Sequence, residues 1–182
     1  VTVPREGRPV RKDPVQFETP RLILRPPSSG DVQAVFDLAG DPRAVVHNPS
    51  DRLQDDTEAE ELLGRWVVHW EQFGFGYWLV REAGRAPTVG VCGVKVVSFR
   101  SAPALNLLCR FTPEVWGRGF ATEAATAVVQ SARLIKPERP LIARVRSSNV
   151  ASQRVALKAG FLRMPSWDQS GEDGAELLFL AG

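Results

Sequence analysis

The chain has 182 residues, 43% of them hydrophobic, which suits one domain with a real core. The net charge is +2 (23 Lys and Arg against 21 Asp and Glu), with no charge block, which argues against a nucleic-acid surface. No apolar run reaches the ~18 residues of a membrane span, and nothing apolar follows the N-terminal charges as in a secretory signal. Cys92 and Cys109 both sit in apolar, strand-like segments. They read as buried thiols of a reducing, cytoplasmic compartment, not as a disulfide framework.

Residues 1–18 carry three prolines, many charges and no periodicity, and read as an N-terminal arm ahead of a single domain over residues 19–182. Arg21 to Pro26 is a short strand stopped by Pro26-Pro27. Ser28 or Ser29 caps a helix with Val32, Val35, Phe36 and Ala39 on one face, ended by Gly40. Thr57 with Glu60 is a capping-box signal for a second helix, on which Leu62, Leu63, Trp66, Val67 and Trp70 face a core. His69 on that helix reads as structural, and His47 as part of a surface loop, with a general base or a ligand contact as the alternative. Tyr77 to Arg81 is a strand, and Gly84 to Pro87 a hairpin. Thr88 to Phe99 is a strand with a bend or bulge signalled by Gly90 and Gly93. Ala104 to Phe111 follows, with Leu105, Leu107, Cys109 and Phe111 on one face and Asn106, Leu108 and Arg110 on the other.

Thr112 to Gly119 then turns the chain into a small-residue helix with Ala121, Ala124, Ala125, Val128, Val129 and Ala132 on one face, stopped by Pro137. Glycines flanking Arg118 let backbone N–H groups approach a ligand, and the helix N-terminus adds partial positive charge. The turn therefore reads as an anion cradle, best suited to phosphate, or simply as a tight strand-to-helix turn. It is neither a Walker loop, since Phe120-Ala121 stands where Lys-Ser/Thr belongs, nor a dinucleotide fingerprint, since Thr122 replaces the third glycine. A strand at Leu141 to Arg146 leads to Asn149, which caps a helix over Val150 to Ala159 ended by Gly160. Phe161 to Met164 and Ala175 to Leu180 are strands, with a loop at Asp168 to Gly174. The order of elements implies an α/β or α+β fold of three layers.

Residues 104–124 resemble the acetyl-CoA pyrophosphate motif of the GNAT acetyltransferase superfamily, Gln/Arg-x-x-Gly-x-Gly/Ala, with Gly117 and Gly119 at the glycine positions and Glu114 departing from Gln or Arg. The run Trp116 to Ala124 is similar to the branch that acetylates ribosomal-protein N-termini. So is the opening Thr19, Arg21, Leu22, Leu24, Arg25, where that branch has Thr-x-Arg-Leu-x-Leu-Arg. Asn149 to Phe161 resembles the superfamily's Asn-x-x-Ser/Ala…Gly-Phe segment. The resemblance covers nearly all of residues 19–181. It implies a central mixed, mostly antiparallel sheet of about seven strands with helices on both faces.

It further implies an acetyl-CoA-dependent N-acetyltransferase whose primary-amine acceptor attacks the thioester directly, without a metal, nucleic acid or membrane, as a monomer or homodimer. Cofactor contacts are carried over to Cys109, Arg110, Phe111, Val115, Trp116, Gly117, Arg118, Gly119, Phe120, Ala121, Asn149 and Ser152. The usual tyrosine acid falls on Ala156 and the usual glutamate base on Asn106, so Ser152 is the expected acid, beside Asn149, and the base is open. Cys109 as a nucleophile would give a ping-pong route; its apolar neighbours favour packing. A non-catalytic acyl-CoA-binding domain is the alternative, favoured by Asn106 and Ala156. Acidic residues at Asp51, Asp55, Asp56, Asp168, Glu172 and Asp173 read either as solvated loop charge or as an attraction for a cationic amine.

Overall fold

The computed structural model describes residues 16–182. Most of the expected arm lies outside the described residues, but Phe17–Glu18 form a short strand, β1, on β2 (Leu22–Arg25). Then come α1 (Val32–Ala39), α2 (Asp56–Phe73), β3 (Tyr77–Glu82), β4 (Thr88–Phe99), β5 (Ala102–Phe111) and α3 (Phe120–Ile135). The chain closes with β6 (Leu141–Arg146), α4 (Val150–Lys158), β7 (Phe161–Arg163), β8 (Gln169–Gly171) and β9 (Gly174–Ala181).

The strands form one sheet in the order β1-β2-β3-β4-β5-β6-β9-β7, with β8 on β9. Every neighbouring pair is antiparallel except β5 and β6. This is the expected mixed sheet with helices on both faces. It has nine strands rather than about seven because two short ones gave no alternation to read. One is β1. The other is β8, within the segment expected to be a loop at Asp168 to Gly174; there Gln169 pairs with Glu176 and Ser170 with Ala175.

The alternation in β5 sorts the two cores. Leu105, Leu107 and Phe111 pack with Phe120, Ala124, Ala125 and Val128 of α3 and Ala156 of α4. On the other face Val35, Leu38, Leu63 and Trp66 of α1 and α2 pack on Tyr77, Leu79 and Val91, with Leu108 against them. The irregularity expected in β4 is a register shift: Val80 pairs with Gly90 and Arg81 with Thr88, so Val89 is the extra residue. Gly90 leaves room for the Phe111 ring, which a Cβ there would meet at 2.5 Å.

One local reading changes. The cap of α2 is not Thr57 with Glu60 but Asp55 with Glu58: the Asp55 carboxylate accepts from Glu58 N–H at 3.0 Å, and the Glu58 carboxylate accepts from Gln54 N–H at 2.8 Å. Both frames have cap-x-x-Glu spacing; aspartate is the better cap, and the helix starts at Asp56. His69 is structural, as expected. Its Nε2 accepts from Val96 N–H at 3.1 Å, so the proton sits on Nδ1, which donates to the Phe75 carbonyl at 2.9 Å. With Trp70 Nε1 donating to the Tyr77 carbonyl at 2.9 Å, the end of α2 is fastened to β3 and β4.

Candidate functional site

β5 and β6 pair only at Leu105–Leu141 and Asn106–Ile142, yet β5 continues to Phe111 and β6 to Arg146. Beyond that point the two strands part. Leu105 N–H donates toward β6, to the Pro140 carbonyl at 2.8 Å, and Thr112 N–H donates toward β4, to the Val89 carbonyl at 2.9 Å. The alternation of a strand therefore turns Cys109 N–H toward the opening.

β5 runs directly into the glycine turn. Pro113–Val115 make a 3-10 turn, and Trp116 N–H donates to the Pro113 carbonyl at 3.1 Å. Gly117 (φ 77°) and Gly119 (φ 78°) are both left-handed, a conformation that costs other residues roughly 1–2 kcal/mol. Gly119 caps α3, whose first bond runs from Glu123 N–H to the Gly119 carbonyl at 3.1 Å. The N–H groups of Phe120, Ala121 and Thr122 thus have no carbonyl four residues back. A Cβ on Gly117 would meet nothing within 4 Å, so this turn faces open space. Left-handed glycines leading into a 16-residue helix give N–H groups and a dipole suited to a diphosphate.

Tethers from the N-terminal segment hold the turn. Arg21 donates to the Arg118 carbonyl at 2.9 Å and pairs with Glu123 at 2.6 Å; Thr19 Oγ1 also donates to Glu123 at 2.6 Å. The Arg118 guanidinium pairs with Glu82 at 2.5 Å and lies, like that of Arg21, over the Phe120 ring. This is what the Thr19–Arg25 motif does: Arg21 and Thr19 brace the turn, while Arg25 pairs with buried Asp31. Glu114, the departure from the motif, pairs with Arg43 at 2.9 Å, so the α1–α2 loop brings a cation to the place where this chain lacks the motif's Gln or Arg.

On the far side of the opening, Asn149 Oδ1 accepts from Ser152 N–H at 2.9 Å and caps α4. Ser152 is half-buried. His47 Nδ1 lies 3.0 Å from Ser148 Oγ, which brings the α1–α2 loop against the β6–α4 junction. Ala156 is buried in the core. Asn106, at the last paired position before the strands part, has a buried Oδ1 with no partner among the described residues.

The other sequence-predicted residues divide. Phe111, Val115 and Phe120 are buried and shape the turn from within, whereas Trp116 is half-exposed and donates from Nε1 to the Phe111 carbonyl at 2.8 Å. Cys109 packs between β5 and α3, its thiol 3.6 Å from the Ala121 carbonyl. The Arg110 side chain lies on the opposite face, paired with Asp51 at 2.6 Å, which leaves only its backbone on the α3 side.

That opposite face carries a feature the sequence reading missed. A cleft of about 460 Å³ is lined by Tyr77, Lys95, Leu108 and Arg110 of the sheet, by Asp51 and Arg52, and by Glu58, Arg65 and Trp66 of α2. These residues come from β3, β4, β5, the α1–α2 loop and α2 at unrelated spacings, so no local motif announces them. The acidic residues expected to attract a cation are mostly engaged. Asp51 pairs with Arg110, Asp55 caps α2, Asp168 pairs with Arg163, and Asp173 takes both Arg146, at 3.6 Å, and Ser50 Oγ, at 2.5 Å.

Residues 21–162 match the model of the acetyltransferase (GNAT) domain family. The uncharacterised protein YkkB of Bacillus subtilis (strain 168) is 26% identical over 148 residues, 78% of this chain and 82% of that protein. Among solved structures, an acetyltransferase from Agrobacterium tumefaciens str. C58 superposes with TM-score 0.74 at 24% identity, covering 92% of this chain and 94% of that one. The ribosomal L7/L12 α-N-protein acetyltransferase RimL, in complex with coenzyme A, superposes with TM-score 0.67 at 16% identity, covering 89% and 94%. At these identities the structural matches speak to the fold.

Proposed function

Given that this chain belongs to the GNAT acetyltransferase domain family, we propose that it moves the acetyl group of acetyl-CoA onto a primary amine, by direct attack within a ternary complex. The observation that carries the reading is the continuity of β5: it parts from β6 after Asn106 and then runs straight into a two-glycine turn at the head of α3. A thioester arm fits between the parting strands, and a diphosphate fits against N–H groups from Gly117 to Ala121.

In this reading each step falls to named groups. Cys109 N–H polarises the thioester carbonyl as negative charge develops on its oxygen. The Ser152 hydroxyl gives its proton to the departing thiolate and regains one from the nitrogen of the collapsing intermediate through solvent, replacing the tyrosine that Ala156 excludes, and Asn149 fixes Ser152 through the cap of α4. Asn106 Oδ1, buried and in need of a donor, accepts from the attacking amine and orients it without removing its proton. A protein N-terminus and a small-molecule amine both fit this chemistry.

The absence of a carboxylate at Asn106 and of a hydroxyl at Ala156 favours a second reading, an acyl-CoA-binding domain without turnover. CoA release against a panel of amines separates them. Turnover that falls by about 100-fold or more in Ser152→Ala supports the enzyme, in line with the loss of a general acid. Tight binding of acetyl-CoA with no release supports the second. Intersecting initial-rate lines are expected; parallel lines would bring back Cys109 as a nucleophile.

A further inference from the structure

Building on the transferase reading, we propose that the cleft on the α1/α2 face of the sheet binds a carboxylate or phosphate borne by the acceptor, next to the amine that is acetylated. The cleft lies against Leu108 and Arg110, the β5 residues just beyond the point where β5 leaves β6, so its occupant stands at the edge of the opening. Its acids are already satisfied: Asp51 by Arg110, Glu58 by the Gln54 N–H, and Glu61 by Arg65 in a looser pair at 4.0 Å. Its cations are not all matched. Among the described residues Lys95 has no ion pair or hydrogen bond, only the more distant charge of Asp51, and rests its ammonium over the Tyr77 ring at 6.0 Å. Arg144, two residues past Ile142 on β6, is not in the cleft's lining but stands near enough for its charge to act on Lys95 and Tyr77, and it has no ion-pair or hydrogen-bond partner among the described residues.

The two cations burden each other. Partial burial and the neighbouring charges of Arg144 and Arg65 push the Lys95 ammonium below its ordinary pKa. An anion between them would relieve that repulsion. Tyr77, whose ring is buried and whose pKa is pushed up by that burial, stays protonated as a donor. An amine must lose its proton before it can attack, and the bound anion cancels much of the cleft's positive field, so the cleft does not replace the base that Asn106 cannot supply. What it supplies is position: the anion held at Lys95 keeps the acceptor with its amine at the edge of the opening.

The test uses matched amines with saturating acetyl-CoA: glycine against glycinamide, 2-aminoethyl phosphate against ethanolamine, and spermidine as a cation. The anionic member of at least one pair is expected to show kcat/KM about tenfold or more above its neutral partner, and the two pairs tell carboxylate from phosphate. In K95Q/R144Q that gap should shrink to about threefold or less, with acetyl-CoA affinity unchanged. Preference for spermidine or for the neutral partners, or a gap that survives in the variant, overturns the proposal. If no amine turns over, the same amines are titrated into the CoA-loaded protein. Anion-selective binding lost in K95Q/R144Q then supports the cleft while the transferase reading fails, and binding without such selectivity overturns the cleft proposal itself.

Discussion

His69 holds one proton between two backbone groups, and that proton sets a pH dependence. Burial, opposed by the bond to the Phe75 carbonyl and aided by the charge of Lys95, lowers its pKa below the ordinary value. The unfolded chain takes up a proton near pH ~6.5 that the folded chain refuses, so stability is full above that pH and falls as pH drops toward 5, by at most about 1.4 kcal/mol per unit. Thermal melts from pH 7 to 5 should therefore show a steeper loss in wild type than in His69→Gln. Carboxylates cannot mimic this. Burial raises Asp31, but hydrogen bonds from Arg25 and Ser28 outweigh it and hold the carboxyl below its usual range; its share of stability is lost at lower pH, as it protonates. Equal slopes in the two proteins would contradict the assignment. At this scale the sequence was legible where a residue's role is local, as with the Asn149 cap of α4 and with His69 beside Trp70. It was silent where the role depends on a distant partner: Tyr77, Lys95 and Arg144 share a face only because three strands place them there.

The glycine turn is the element to which the structure adds most detail. Two glycines before a small-residue helix suggested a phosphate cradle; their left-handed φ values and the free first turn of α3 show the backbone that such a cradle needs. What could not be read was how the turn is held, because its braces, Thr19 and Arg21, lie about a hundred residues upstream of Glu123. Arg21→Ala should leave the fold intact and raise the acetyl-CoA Kd by about tenfold, the worth of a charge-assisted hydrogen bond or two, with little change in acceptor KM. Gly119→Glu adds strain and a carboxylate at the mouth of the turn, and should lower acetyl-CoA affinity by about 100-fold or more while circular dichroism stays native. Normal binding by that variant would remove the cradle. The boundary errors have physical causes too. Asp55 and Thr57 offered competing caps for one helix, and β8 is three polar or glycine residues that pair only because β9 is there to receive them.

At the scale of the whole molecule, the one parallel pair among the described strands creates the opening in an otherwise antiparallel sheet. Because β5 and β6 are joined through α3, and because they bond only at Asn106 and the residue before it, the sheet opens at its centre rather than at an edge. The glycine turn stands at the end of one lip and Asn149 and Ser152 beyond the end of the other. The cationic cleft lies on the face away from α3 and α4. The order of strands and helices made this architecture readable in advance; the width and contents of the opening were not, since no local pattern encodes where two strands stop pairing. The most direct measurement is a crystal structure with coenzyme A. It should show the diphosphate on N–H groups between Gly117 and Ala121, with the thiol arm passing between β5 and β6 toward Cys109 N–H and Ser152. Coenzyme A bound at another surface, with the β5–β6 opening empty, would contradict the account.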